Sequence, residues 1–91
     1  MTTDRFPLKQ LIGGEWVAAA SGGTWDLIDP GSERVVQRVP FGGAADARAG
    51  VDAAAAAYPA WAAKTAYERA EVLERAAAWI RENVDDLARL T

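Results

Sequence analysis

Apolar and polar positions follow two different periods along the chain, and they change over near residue 43. Residues 11–39 hold most of the β-branched residues outside the helices, punctuated by Gly and Pro. "LIGGEWV" (Leu11 to Val17) predicts a β-hairpin turning at Gly13-Gly14, because a primed two-residue turn needs positive φ at both positions. "AAASGG" (Ala18 to Gly23) reads as a loop. "TWDLI" and "ERVVQRVP" predict a second strand pair around Asp29-Pro30-Gly31-Ser32. Alternation puts Trp25 and Leu27 on one face, and Val35, Gln37 and Val39 on one face of the partner strand.

Beyond "FGGAAD" the spacing becomes helical. A first helix is expected over about 44–57, with Asp46 in its first turn where the helix dipole favours a negative charge. Val51, Ala54, Ala55 and Tyr58 share a face, and Pro59 is expected to end the run. Thr65 and Glu68 match the S/T-x-x-E capping box at the start of a helix over about 65–82. Val72, Leu73, Ala76, Ile80, Val84 and Leu87 then step at helical intervals. Asn83 is expected to end that helix in a left-handed conformation and to begin another over about 84–91. Glu71–Arg75 and Asp85–Arg89 stand at i,i+4 spacing for ion pairs. The fold class expected is α+β: β-hairpins over about 11–39, then two or three α-helices. Residues 1–10 are expected to form a flexible arm.

Composition narrows the functions. The net charge is −3 with scattered basic residues, so no nucleic-acid stripe is present. The longest apolar run, Ala53 to Tyr58, is far short of the roughly 20 residues a bilayer span needs. The acids Glu68, Glu71, Glu74 and Glu82 also argue against a membrane-surface helix. Neither nucleic acid nor membrane is expected as a partner, and "MTTDRFPLKQ" lacks a signal-peptide core, so a cytoplasmic location is expected.

The chain has no Cys and no His, which removes the commonest nucleophiles, bases and metal ligands. Gly42-Gly43 lies before a helix N-terminus, where an anion could bind, but neither G-x-G-x-x-G nor a Walker Lys accompanies it. Glu68, Glu71 and Glu74 fall on a solvated helix face rather than in a cleft. A small Ala-rich core carrying four Trp suggests that the chain packs against more protein than its 91 residues supply. The helical pattern that still runs at "DLARLT" agrees with an expected fragment. From residues alone, the reading is a small α+β segment without an active site.

Four phrases, in this order, resemble the N-terminal region of NAD(P)-dependent aldehyde dehydrogenases. "IGGEWV" is similar to the family's I-N-G-E-W-V, and "SGGTWDLIDP" to S-G-K-T-F-x-V-x-N-P. "VDAAAAAYPAW" resembles A-x-x-A-F-x-x-W, and "TAYERAEVLERAAAWI" the S/T-x-x-E-R-x-x-x-L-x-x-x-A-x-x-I helix. "VPFGGAAD" and "PAW...TAYERA" resemble succinate-semialdehyde dehydrogenases in particular.

The resemblance implies that residues 1–91 are the N-terminal part of a nucleotide-binding domain in a larger α/β enzyme. Such a parent would be a homodimer or homotetramer that oxidises an aldehyde to an acid with NAD or NADP. The family's Cys, Glu and nucleotide-binding glycines lie beyond the matched region, so no catalytic or cofactor-binding residue is expected here. Some members hold Na⁺ or K⁺ on backbone carbonyls before the N-P turn, which correspond to Leu27 and Ile28. At that turn Asp29 replaces Asn, and Gly31-Ser32-Glu33-Arg34 replaces A-T-G-E, so Gly stands two places early. The alternative from a different class is a small, non-catalytic interaction module that binds a protein through its Ala/Trp face.

Overall fold

The structure is a computed structural model that describes residues 7–90. Four strands precede three helices: β1 (Gln10–Ile12), β2 (Glu15–Val17), β3 (Thr24–Ile28), β4 (Val35–Pro40), α1 (Ala44–Ala63), α2 (Ala66–Glu82) and α3 (Val84–Leu90). The strands form two separate antiparallel pairs, β1–β2 and β3–β4. In the first, Leu11 faces Trp16 and Ile12 faces Glu15, and the turn uses Gly13 at φ 62° and Gly14 at φ 80°. Both angles are those a type I′ turn requires, so the glycine pair sets the register. Gln10, placed in the expected arm, is the first residue of β1; residues 1–6 of that arm lie outside the described residues.

In the second pair Trp25 faces Val39 and Leu27 faces Gln37, as the alternation predicts. Trp25 also stacks on Phe41 with ring centroids 5.3 Å apart. On the other face Asp26 and Arg38, directly opposite, form an ion pair at 3.1 Å. The Phe41 N–H donates to the Gly23 carbonyl at 2.9 Å. Steps of two from that bond make Trp25 and Leu27 bonded positions. Pro40, opposite Thr24, then falls at a non-bonded position, where its missing N–H is harmless.

The first helix corrects the expected boundary. It continues six residues beyond 57, to Ala63, with Pro59 inside it. Proline's fixed φ suits a helix, and the surrounding alanines have the strongest helix propensity, so the lost hydrogen bond is outweighed. The chain leaves at Lys64, whose N–H still reaches the Trp61 carbonyl at 3.2 Å before the backbone turns extended. Arg69 then reaches back from α2 and donates to the carbonyls of Ala62 and Lys64, fastening the linker.

The capping box at Thr65 forms in full. Its hydroxyl accepts from the Glu68 N–H at 3.2 Å, and the Glu68 carboxylate accepts from the Thr65 N–H at 3.0 Å. Asn83 does join α2 to α3, but at φ −117° rather than in the expected left-handed conformation. Its side chain donates to the Trp79 carbonyl at 2.8 Å, satisfying the end of α2 without the left-handed turn. Its own carbonyl accepts from Leu87 at 3.0 Å and opens α3.

Arg89 pairs with Asp86 at 3.1 Å, one residue nearer than the expected Asp85. Glu71 and Arg75 form no ion pair among the described residues. An exposed pair of that kind gains only a few tenths of a kcal/mol against the entropy of two long side chains.

Little of this is buried. Among the described residues, Ala19 is the one buried hydrophobic residue and Asn83 the one buried polar residue. The radius of gyration is 16.4 Å, against about 12 Å for a globular domain of this length. The elements are well formed, yet they are arranged around no closed core.

Candidate functional site

The ribbon tip, the glycine pair before α1 and the acidic face of α2 are the three places where the residues could carry chemistry. At the ribbon tip, Leu27 and Ile28 end β3, and a bulge separates their pairings with Gln37 and Val35. Together with Asp29, Pro30, Val36, Arg89 and Leu90 they line a hollow of about 460 Å³. Leu27, at a bonded ladder position, turns its carbonyl toward β4; Ile28, one residue on, turns the other way.

Asp29 organises the turn that follows. Its carboxylate accepts from the Ser32 hydroxyl at 2.9 Å and the Gly31 N–H at 3.1 Å. Its backbone accepts from the Glu33 N–H at 2.7 Å and donates to the Arg34 carbonyl at 2.9 Å. The hydrogen bond from Ser32, then that from Gly31, holds its carboxyl below the ordinary carboxylate range. Glu33 has φ 59°, the only non-glycine in the left-handed region among the described residues. This is the position at which the resembling families place their Gly. Gly31 stands two places before Glu33, and Asp29 braces the turn from within.

The glycine pair leads to a different centre. Asp46 sits in the first turn of α1, and its carboxylate accepts from the Gly43 N–H at 2.9 Å. It also accepts from the Ala20 N–H at 3.0 Å and from Gln10 Nε2 at 3.1 Å. One carboxylate thus ties β1, the loop after β2 and the start of α1 together. Gly42 lacks the Cβ that would collide with Gln10 Oε1, so the amide can lie against it. These bonds, that of Gly43 first, then Gln10 and Ala20, depress the Asp46 pKa. The helix N-terminus considered for an exogenous anion is occupied by the protein's own.

Glu68 is likewise committed. Its bond from the Thr65 N–H, followed by that with the Thr65 hydroxyl, lowers its pKa and makes it a poor proton donor near neutrality. Among the described residues no group of three or more His, Cys, Asp or Glu could hold a metal ion. None of the described helices is long and apolar enough to cross a membrane.

The sequence places Asp46 in the first helical turn but names none of its three partners, Gly43, Gln10 and Ala20. Gln10 and Ala20 lie 36 and 26 residues away, and no local pattern announces a bond across such a distance. The charged Asp29 beside Pro30 was visible; its role in bracing Glu33 was not, because a non-glycine at positive φ has no sequence signature.

Residues 16–91 match the model of the aldehyde dehydrogenase family. The chain is 47% identical over 85 residues to 3-sulfolactaldehyde dehydrogenase of Pseudomonas putida, covering 91% of this chain and 18% of that protein. It is 44% identical over 85 residues to the NADP(+) succinate-semialdehyde dehydrogenase of Escherichia coli K12, covering 93% and 18%. A crystal structure of an E. coli NADP-dependent enzyme superposes with a TM-score of 0.91 at 42% identity, over 98% of this chain and 18% of that one. The chain thus spans less than a fifth of the length of these relatives.

Proposed function

Because this chain belongs to the aldehyde dehydrogenase family, we propose that it serves as a scaffold segment of an NAD(P)-dependent aldehyde dehydrogenase, the N-terminal part of its nucleotide-binding domain. The observation that carries this reading is the superposition at a TM-score of 0.91 over 98% of the chain. The hairpins and helices here adopt the arrangement they have within a chain several times longer.

The parent reaction is oxidation of an aldehyde to a carboxylic acid, with hydride passing to NAD or NADP. Its chemistry needs a thiolate nucleophile and a base to activate water. A chain with no Cys supplies no such thiolate, and its Asp29, Asp46 and Glu68 carboxylates are committed to hydrogen bonds with its own backbone, so the segment positions and does not react. Succinate semialdehyde is the substrate favoured, supported by the 44% identity to the E. coli enzyme that bears that name. The relatives named for 3-sulfolactaldehyde and glutarate semialdehyde support the wider class: a short aldehyde with an anionic group at its far end. The parent acts as a cytoplasmic homodimer or homotetramer.

The carbonyls of Leu27 and Ile28 contribute to a Na⁺ or K⁺ site whose other ligands come from outside this segment. The outward turn of Ile28 and the anionic Asp29 beside it support this; Leu27, committed to the ladder, is the weaker ligand. The reading is tested by a chimera in which this chain replaces the matching segment of the E. coli succinate-semialdehyde dehydrogenase. The chimera is expected to be soluble and to reduce NADP⁺ with succinate semialdehyde. A chimera that folds but has no activity would sink the scaffold reading. For the cation, NADP⁺ reduction is compared in K⁺, Na⁺ and a bulky organic cation. Equal rates and equal thermal stability in all three exclude the site.

A further inference from the structure

Asp29 is followed by Pro30, the one Asp-Pro bond in the chain. An aspartate carboxylate can close a five-membered ring on its own backbone carbonyl carbon. A proline nitrogen, that of a tertiary amide, leaves from that carbon as a basic secondary amine, so Asp-Pro bonds break more readily than other peptide bonds in mild acid. The Asn that the resembling families carry at this turn offers no carboxylate oxygen for such an attack.

The turn holds two opposed features. The Asp29 carbonyl already accepts from the Glu33 N–H at 2.7 Å, and the Asp29 N–H is tied to the Arg34 carbonyl at 2.9 Å. A fixed donor on that carbonyl oxygen stabilises the negative charge that develops there when the carbon is attacked. The nucleophile, by contrast, is engaged at both oxygens. Asp29 Oδ1 accepts from the Gly31 N–H at 3.1 Å, and Oδ2 from the Ser32 hydroxyl at 2.9 Å. The Ser32 hydroxyl is itself steadied by the Arg34 N–H, which it accepts at 3.4 Å. One of these bonds must open before the ring can close. Pro30 to Arg34 are exposed, so water and acid reach the bond.

We propose that the Asp29–Pro30 bond is a self-cleavage site, its carbonyl primed by the Glu33 N–H and its nucleophile restrained by the Ser32 hydroxyl. A carboxylate oxygen of Asp29 bonds to the Asp29 carbonyl carbon, and the bond from that carbon to the Pro30 nitrogen breaks. The electron pair stays on the nitrogen, which takes a proton from the solvent. Water then opens the cyclic anhydride, leaving two carboxyl groups on Asp29 and a free secondary amine on Pro30. Nothing is oxidised or reduced, and the two pieces together weigh one water more than the intact chain.

The test incubates the chain at about pH 5, above the ordinary carboxylate range, and follows cleavage by intact mass. The expected products are residues 1–29 and 30–91. Hydrogen exchange at the Asp29 amide reports whether the turn is formed; an unprotected amide overturns the proposal, because no restraint then exists. Ser32→Ala releases one hydrogen bond and is expected to cleave about two- to tenfold faster than the wild type. Ser32→Thr keeps the hydroxyl and is expected to cleave at the wild-type rate. In urea, where the turn is lost, Ser32→Ala and the wild type are expected to cleave alike. Ser32→Ala should also cleave faster folded than in urea, by a factor of similar size, because unfolding takes the Glu33 N–H from the carbonyl. Pro30→Ala, with a secondary amide at the bond, should give no product over the same period. Equal folded rates for Ser32→Ala and the wild type, or an excess that persists in urea, overturn the restraint and with it the proposal. Cleavage of Ser32→Ala that is no faster folded than unfolded overturns the priming, and products cut elsewhere overturn the site.

Discussion

Replacing Glu33 by Gly is expected to tighten the β3–β4 turn. Glu33 is held at φ 59° and its side chain makes no ion pair among the described residues. The substitution therefore removes a strain and no contact. A non-glycine in the left-handed region is disfavoured by roughly 1–2 kcal/mol. Glycine's greater freedom in the open chain returns about 0.5–1 kcal/mol of that. A net gain of about 0.5–1 kcal/mol follows, slowing local opening by about two- to fivefold.

The Asp29 amide, bonded to the Arg34 carbonyl across the turn, is the probe. It is far enough from position 33 that its intrinsic exchange rate is unchanged. Hydrogen exchange at that amide should slow in Glu33→Gly. Gly31→Ala should be tolerated, since a Cβ there meets only ordinary contacts with the Asp29 carboxylate at 3.6 and 4.0 Å. Faster Asp29 exchange in Glu33→Gly would refute the claim that Asp29 braces a strained residue.

Acid should loosen the fold in a defined direction. The Asp29, Asp46 and Glu68 carboxyls all titrate below their ordinary values of 3.8, 3.8 and 4.5, each held down by hydrogen bonds to its charged form. Their contribution is complete above those values and disappears as pH falls through the depressed ones, so local order should be lost below about pH 4. In Asp46→Asn the amide shifts of Ala20 and Gly43 should lose their acid titration; an unchanged titration would show that Asp46 is not their partner. Asn83→Ala should weaken the α2–α3 joint by about 1 kcal/mol, read as faster exchange of the Leu87 amide, and unchanged exchange would remove the side chain from that role. The 91-residue chain alone should show no turnover of any aldehyde with NAD⁺ or NADP⁺, measured at 340 nm; measurable turnover would place chemistry in a chain with no thiol.

What the sequence made legible was what local physics decides. The Gly13-Gly14 turn and the Thr65–Glu68 box each satisfy their own backbone groups within a few residues. They could be read without knowing what surrounds them. The end of α1 is not legible at Pro59, because the cost of a proline is local while the gain from the surrounding alanines is spread along the helix. Asn83 is legible as the joint but its conformation is not, since its side chain reaches back to Trp79 and makes a left-handed turn unnecessary. The Asp46 clasp was hidden for a different reason: its bonds span loops, and side-chain identity does not encode distance along the chain. At the ribbon tip, the displaced glycine was plain in the sequence, but its consequence for Glu33 needed coordinates.

The Asp46 clasp has a bearing on how this segment can change in length. It brings Ala20 to the start of α1, and the Phe41–Gly23 bond closes the base of the ribbon beside it. Everything from Thr24 to Pro40 is thus an excursion that leaves and returns at nearly one point. Residues added or removed near Ser32, at its exposed tip, leave both ends of the excursion where they were. The ribbon is the place to insert an epitope or a labelling site, and the place where members of a lineage can drift in length while the hairpin and helix beneath it keep their positions.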